Sequence, residues 1–355
     1  MPRTHPNRNP AGPRRRAGAC LAGLVPAALA ALTLALGLPP AVRAGPAPSM
    51  SEYLEHPEYR DLIATLVKDH GFARDEVVGW FRRAELIPRV AKIFDRPAEA
   101  KPYAEYRTLF ISPKVQKLGA AYLAEHRAML KEVEARTGVE ATAVAAIMGI
   151  ETKFGSVKPG YRAFDALNSA FALYPRRRTF FRKELIEYLL LCREERADPL
   201  TFHSSYAGAL GMPQFMPSSY RAYAVDFDGD GQRDIWASHA DVAGSIANYL
   251  KVHGWQPGAP LRTEVTLTPA QAERFDGGHK NKFPLARLVA DGVTSPVFDR
   301  VAADTPVAVV SYADTDGRTR YFVLFNNFLT IMRYNTSVNY ALVAAELDDY
   351  FRSLS

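Results

Sequence analysis

The sequence predicts an α+β fold that is mostly α. Three observations carry this. Within residues 51–136 apolar side chains recur at spacings of three and four, the mark of helices with one buried face. After Pro257 the pattern changes to short alternating runs, the mark of strands. Asp314-Thr315-Asp316-Gly317 then supplies a hairpin turn between two such runs.

Taken in order, Tyr59 to Val67 and Arg74 to Ala84 each show a helical apolar face. Ser112-Pro113 opens the next helix, a serine cap followed by proline where its missing N–H costs nothing. That helix is expected to run to about Arg136 and to stop near Gly138. A helix from about Glu140 to Glu151 is apolar almost all round (Val144, Ala145, Ala146, Ile147, Met148, Ile150), which places it inside the core. Thr179 to Arg196 is helical and ends before Asp198-Pro199. Asp241 to His253 is helical, with Asp241 as N-cap and Gly254 as stop. Strands follow at Leu261 to Leu267, Val307 to Tyr312 and Arg320 to Phe325, with short helices between them at Pro269 to Arg274 and Pro284 to Asp291. The helical pattern resumes near Asn327 and closes with Ser337 to Leu354. The organisation expected is a leader (1–44), an N-terminal helical region (45–136), a core (137–257), an inserted α/β module (258–325) and a C-terminal return to the core (326–355).

Residues 1–44 have the order of a secretory signal peptide: an arginine-rich start, an apolar run from Leu21 to Leu38, and Val42-Arg43-Ala44 before Gly45. The alternative is a retained anchor, for which an 18-residue run interrupted by Pro26 is marginal. Export to the periplasm is therefore expected, with membrane association only if the leader is retained. Cys20 precedes the apolar run, so lipid anchoring is not expected. The leader holds six arginines and no acid, and the remaining 311 residues carry 38 basic and 38 acidic side chains. The net charge of +6 thus belongs to the leader, and nucleic acid is excluded as the expected partner. Cys192 is the one cysteine after the leader, so no disulfide forms within that part. Its apolar helical setting reads as a buried small hydrophobe.

Glu151 follows ten uncharged residues at the end of the apolar helix. An ionised carboxylate there must find a partner or shift its pKa upward, and a raised pKa suits a general acid. A glutamate held by Lys153, or one facing solvent, has the same local sequence. Ser204 to Tyr220 is dense in small and polar residues, with Gln214 between Pro213 and Pro217. It reads either as an ordinary loop or as the rigid wall of a polar cleft. Met332 to Tyr340 gathers aromatics and amides suited to sugars, although buried tyrosines would look identical. Asp165, Glu184, Glu187, Glu194 and Glu195 lie in arginine-rich stretches and read as solvated helix faces.

Asp226, Asp228, Asp230 and Asp234 occupy positions 1, 3, 5 and 9 of an EF-hand loop. Gly231 stands at position 6, and Gln232 offers a backbone carbonyl at position 7. These five residues are the expected ligands of Ca²⁺. Ala237 at position 12 lacks the usual bidentate carboxylate, which predicts weak binding. The alternative is an Asp/Gly turn without metal.

Four segments together, Ile150 to Gly155, Ala207 to Ser219, the acidic loop and Arg333-Tyr334-Asn335, resemble the membrane-bound lytic murein transglycosylase B family in order and spacing. The resemblance spans nearly all of residues 50–355. It implies a lysozyme-like helical core and cleavage of the β-1,4 bond between N-acetylmuramic acid and N-acetylglucosamine without water, leaving a 1,6-anhydromuramic end. By motif match Glu151 is the single acid and then base. An ordinary glycosidase needs a second carboxylate ~5–9 Å away, and none appears in the motifs assigned to the cleft. The resemblance further implies that Ser205 and Gln214 line the cleft and that Tyr334, Asn335 and Tyr340 face the sugar or its acetamido group. It places Arg176 and Arg177 at peptide or lactyl carboxylates, and Tyr106 and Tyr249 as looser carry-overs. It makes calcium structural, with no cofactor for catalysis. Peptidoglycan strands are the implied partner, and wall-synthesis enzymes are a further candidate class.

Overall fold

The computed structural model describes residues 49–94, 101–314 and 316–354. The leader reading therefore lies outside the described residues. Among the described residues, no helix is long and apolar enough to cross a membrane.

The architecture is a helical body with a small antiparallel sheet set against it. The helix Ala141–Thr152 lies at the centre, with Val144, Ala145, Ile147 and Met148 fully buried. Helices Pro113–Glu125, Arg127–Thr137, His239–Val252 and Val338–Arg352 surround it. Close approach is set by small residues. A Cβ on Gly119 would lie 2.2 Å from the Phe351 ring, so a larger residue there would force that buried ring to shift. On the other side, helices Pro57–Lys68 and Arg74–Arg82 pack on Ala163–Leu173 through Tyr59, whose ring meets Phe81 and Phe171 edge-on. The Tyr59 hydroxyl donates to buried Asn168 at 2.6 Å.

Several expectations need correction. The helix opened by Ser112, whose hydroxyl accepts from Val115 N–H, does not run unbroken to Gly138. It breaks at His126, where no glycine or proline marks the site, and restarts as Arg127–Thr137. The break lets the His126 ring pack on Tyr122 and on His239, 113 residues away in the chain. Asp241 is not an N-cap. Ser238 caps the helix His239–Val252, and Asp241 is buried in its first turn. There its two oxygens accept from the backbone N–H groups of Phe227 and Asp234, bracing the acidic loop.

Asp165 and Glu184 are not solvated either. Asp165 is buried between Arg162 and the Glu85 N–H, and Glu184 accepts from both the N–H and the hydroxyl of Ser218. Glu187, Glu194 and Glu195 pair with Arg221 and Arg233. Cys192 is buried as expected, with its thiol pushed up to about 12 by burial.

Burial raises the Glu184 pKa above 4.5, against the opposing Ser218 hydrogen bonds. The folded state then holds this proton more tightly than the unfolded chain. The associated stability is full below about pH 4.5 and is lost as pH rises through the raised value. Glu184→Gln keeps an acceptor for Ser218 and removes the buried charge. Its melting temperature is expected to gain on the wild type as pH rises from 4.5 toward neutrality. Parallel melting curves across that range would contradict this.

The sheet is antiparallel, in the spatial order Arg262–Val265, Thr319–Leu324, Pro306–Ala313, Phe283–Pro284. The central pair runs in register from Ala308↔Leu324 to Ala313↔Thr319. Alternation along these strands serves two cores. Val307, Val309 and Val323 join Phe275, Phe283 and Leu288 in a separate cluster of residues 265–325, whereas Val310, Phe322 and Leu324 join the main core. The region expected as one helix at Pro284 to Asp291 is a short strand, Phe283–Pro284, followed by Ala286–Ala290.

Candidate active site

The central helix ends in an unusual way. Lys153, Phe154 and Gly155 take left-handed φ values of 49°, 58° and 77° in succession. Two of the three carry side chains, for which this region is costly. Packing holds them there. The Phe154 ring stacks on Tyr122 at 5.1 Å and meets Phe351, and a Cβ on Gly155 would press on the Met212 side chain. This turn leaves Glu151, half-buried, as the last residue but one of the helix.

Tyr340, near the start of the C-terminal helix, donates its hydroxyl to Glu151 Oε1 at 2.7 Å. Ser337 caps that helix by accepting from the Tyr340 N–H, which fixes where the ring emerges. Burial and the Glu151 carboxylate hold the Tyr340 hydroxyl well above the usual tyrosine range, so it stays a donor. Tyr334 lies parallel to Tyr340 with centroids 6.5 Å apart, and its hydroxyl donates to the Pro213 carbonyl at 2.5 Å. Tyr249 crosses the Tyr334 ring edge-on and donates to the Arg333 carbonyl.

These tyrosines, with Tyr106, are largely enclosed. Tyr334, Tyr340, Tyr249 and Tyr106 are 4 %, 1 %, 8 % and 1 % exposed. Tyr334 and Tyr249 give their hydroxyls to main-chain carbonyls. Tyr106 contacts Phe110 and lies close enough to Tyr340 to influence its ionisation.

The segment Ser204 to Tyr220 is internally hydrogen-bonded. Leu210 bridges to both Ser204 and Phe215. Ser205 Oγ accepts from the Ala209 N–H, and Gln214, itself at φ 53°, donates through Nε2 to the Gly211 carbonyl at 2.8 Å. Asn335 is buried, and its Oδ1 accepts from the Ser337 N–H. Arg176 and Arg177 sit in a single turn, Pro175–Arg177. Arg176 is exposed. Arg177 lies over the Phe180 ring at 4.3 Å, burial lowers its pKa, and its Nη2 is buried without a hydrogen-bond partner. Thr152, Tyr122 and Phe154, which shape the helix end, were not singled out from the sequence. The Thr and Phe of the Glu-Thr-x-Phe-Gly motif were the available signal.

In the acidic loop, carboxylate oxygens of Asp226, Asp228 and Asp230 come within 4.8 Å of one another. Asp226 also accepts from the N–H groups of Gly229, Asp230 and Gly231, and Ser238 donates to Asp228 Oδ2. Three converging acids fit a hard cation with oxygen ligands. Asp234 stands apart from that group, and its Oδ1 accepts from the N–H groups of Trp236 and Ala237. The loop reaches the wall of the site through Ile235, whose carbonyl accepts the Met212 N–H at 2.8 Å.

Residues 55–349 match the transglycosylase SLT domain family. The chain belongs to that family. It is 33 % identical over 306 residues to membrane-bound lytic murein transglycosylase B of Escherichia coli (strain K12), covering 83 % of each chain. Its fold is similar to that of soluble lytic transglycosylase SltB1 from Pseudomonas aeruginosa, with a TM-score of 0.78 and 38 % identity, covering 84 % of this chain and 99 % of that one. It is also similar to the Escherichia coli lytic transglycosylase Slt35 in complex with calcium, with a TM-score of 0.76 and 32 % identity, covering 85 % and 95 %. As a family member the chain is an enzyme of the lytic transglycosylase class with a lysozyme-like, mostly helical fold.

Proposed function

We propose that this enzyme cleaves the glycan strands of peptidoglycan at the β-1,4 bond between N-acetylmuramic acid and N-acetylglucosamine, with Glu151 acting alone. In the first step protonated Glu151 gives its proton to the glycosidic oxygen as the bond to muramic C1 breaks. In the second, the carboxylate takes the proton of the C6 hydroxyl while that oxygen bonds to C1. The 1,6-anhydro end forms, Glu151 is protonated again, and no water is consumed.

The observation that carries this reading is the placement of Glu151 under the Tyr340 hydroxyl while the buried acids serve the scaffold. Among the described residues those acids are Asp165, Glu184, Asp241 and Asp348. The first three hold the partners described above, and Asp348 is engaged by Thr142 and Arg352. A hydrolytic pair of carboxylates thus gains no support from them. Digestion in heavy-oxygen water tests the chemistry: the label is expected to stay out of the new muramic ends. Its incorporation would show hydrolysis.

Ser205, Gln214 and Asn335 are assigned to the cleft, Tyr340 to the carboxylate, and Tyr334, Tyr249 and Tyr106 to the wall behind it. Arg176 and Arg177 are assigned to peptide or lactyl carboxylates, a role supported by the unpartnered Nη2 of Arg177. The cluster of residues 265–325 supports treating 258–325 as an inserted module between the core and its C-terminal return. The cell envelope is the assigned location, and the leader reading makes it periplasmic.

Calcium is assigned a structural role. Asp226, Asp228 and Asp230 would hold it, with Asp234 and the Gln232 carbonyl completing the set. The cation would neutralise acids that otherwise repel. Calcium is expected to raise the melting temperature, by an amount equivalent to ~2.7 kcal/mol at a hundredfold excess over Kd. A chelator should reverse the rise. No shift at millimolar calcium would contradict the assignment.

A further inference from the structure

The last turn of a helix lacks half of its hydrogen bonds and frays most readily. Glu151 stands in that turn, yet acid–base chemistry requires its carboxylate to be held within a fraction of an ångström. Tyr340 anchors the side chain. The main chain needs an anchor of its own, and Thr152 supplies the geometry for one.

Thr152 is 2 % exposed. A threonine within a helix ordinarily turns its hydroxyl back onto a carbonyl one turn earlier. Here the hydroxyl instead donates across the chain to the Met212 carbonyl at 3.2 Å, and it accepts the Gly155 N–H at 3.1 Å. Both capacities of the hydroxyl are used. The Thr152 carbonyl accepts from Val157 N–H at 2.9 Å, closing the turn that follows.

The acceptor is itself held by neighbouring contacts. Met212 N–H is held by Ile235 of the acidic loop, and Gly211 lies so close to Ile235 that an added Cβ would sit 2.4 Å from its carbonyl oxygen. The next carbonyl, that of Pro213, takes the Tyr334 hydroxyl. Thr152 therefore joins the helix carrying Glu151 to a two-residue stretch of backbone that the acidic loop grips from one side and Tyr334 from the other.

We infer that Thr152 is a positioning residue for the transglycosylase reaction: its hydroxyl, on the Met212 carbonyl, sets where the Glu151 carboxylate stands in the cleft. This rests on the reading of Glu151 given above. An active Glu151→Gln enzyme would remove that reading, whereas the variants below bear on position alone.

Thr152→Val removes the hydroxyl at nearly constant shape. The expected result, at temperatures where the variant is folded, is a fall in kcat of about tenfold to a hundredfold with KM within about twofold. The pH–rate profile should shift with it, because the environment of Glu151 changes. Thr152→Ser, which keeps the hydroxyl, should restore both kcat and the profile. A Thr152→Val enzyme with a lowered melting temperature but wild-type kcat and pH profile would show a structural role only and overturn the inference. Equal losses in the valine and serine variants would also overturn it. Should the valine variant not fold, Thr152→Ser and Thr152→Ala decide the matter. Serine at wild-type kcat with alanine slow is the expected pair, and equal rates would be contrary.

Discussion

Glu151→Gln is expected to lower the rate of glycan cleavage by about 10³- to 10⁴-fold while the protein stays folded and still binds sacculi. Glutamine has nearly the same shape, and its carbonyl oxygen can accept the Tyr340 hydroxyl as Oε1 does. What it cannot do is give a proton to the glycosidic oxygen or take one from the C6 hydroxyl. Because one group serves both steps, no second carboxylate shares the loss. The measurement is turbidity loss of sacculi together with the melting temperature and a pull-down on insoluble peptidoglycan. A variant that digests at the wild-type rate would remove Glu151 from the mechanism. Loss of the folded state would mean that the charge, not the proton, is what the site needs.

Gly211→Ala is expected to cost ~2–4 kcal/mol of stability, combining a side chain at positive φ with overpacking. Gly211 has φ 61°, and its Cβ would meet a backbone oxygen, which cannot swing aside as a side chain would. Gly278 provides the comparison: it too has positive φ, 78°, but nothing lies within 4 Å of where its Cβ would be. Alanine there should cost only the conformational part, about 1–2 kcal/mol. Denaturant unfolding of both variants separates the two terms. Equal losses would show that the contact between the wall and the acidic loop is not tight. Activity should fall further in the Gly211 variant, since Met212 and Pro213 follow directly and carry the contacts to Thr152 and Tyr334.

The elements legible in the sequence are those governed by neighbours in the chain. The Ser112 cap, the stop at Gly138 and the all-apolar helix before Glu151 follow from side chains a few residues apart. The alternation that builds the sheet was legible too, although not that its two faces would serve two different cores. Partners far apart in the chain were harder to read. Nothing local distinguishes the buried Glu184, matched to Ser218, from the more open Glu194 on the same helix. Nothing local tells that Ser238 rather than Asp241 caps its helix, because Asp241 is drawn inward by Phe227 and Asp234. At the break, His126 packs on His239, a partner 113 residues away in the chain.

The site shows the same division. Glu151, Gln214 and Tyr340 were placed in one site by motif, and Tyr340 does meet Glu151. The function of the tyrosines was less legible, since a tyrosine that binds sugar and one that props a wall have the same local sequence. In the fold the Tyr334 and Tyr249 hydroxyls go to main-chain carbonyls. Nothing local marks Thr152 as different from any threonine at a helix end, because its partner, the Met212 carbonyl, lies 60 residues away in the chain.

The central claim is that one carboxylate closes the muramic C6 oxygen onto C1 in place of water. The mass of the glycan ends released from purified sacculi tests it most directly. The expected product carries a 1,6-anhydromuramic end, lighter by one water than a reducing end. Reducing ends as the first product of the wild-type enzyme would contradict the account.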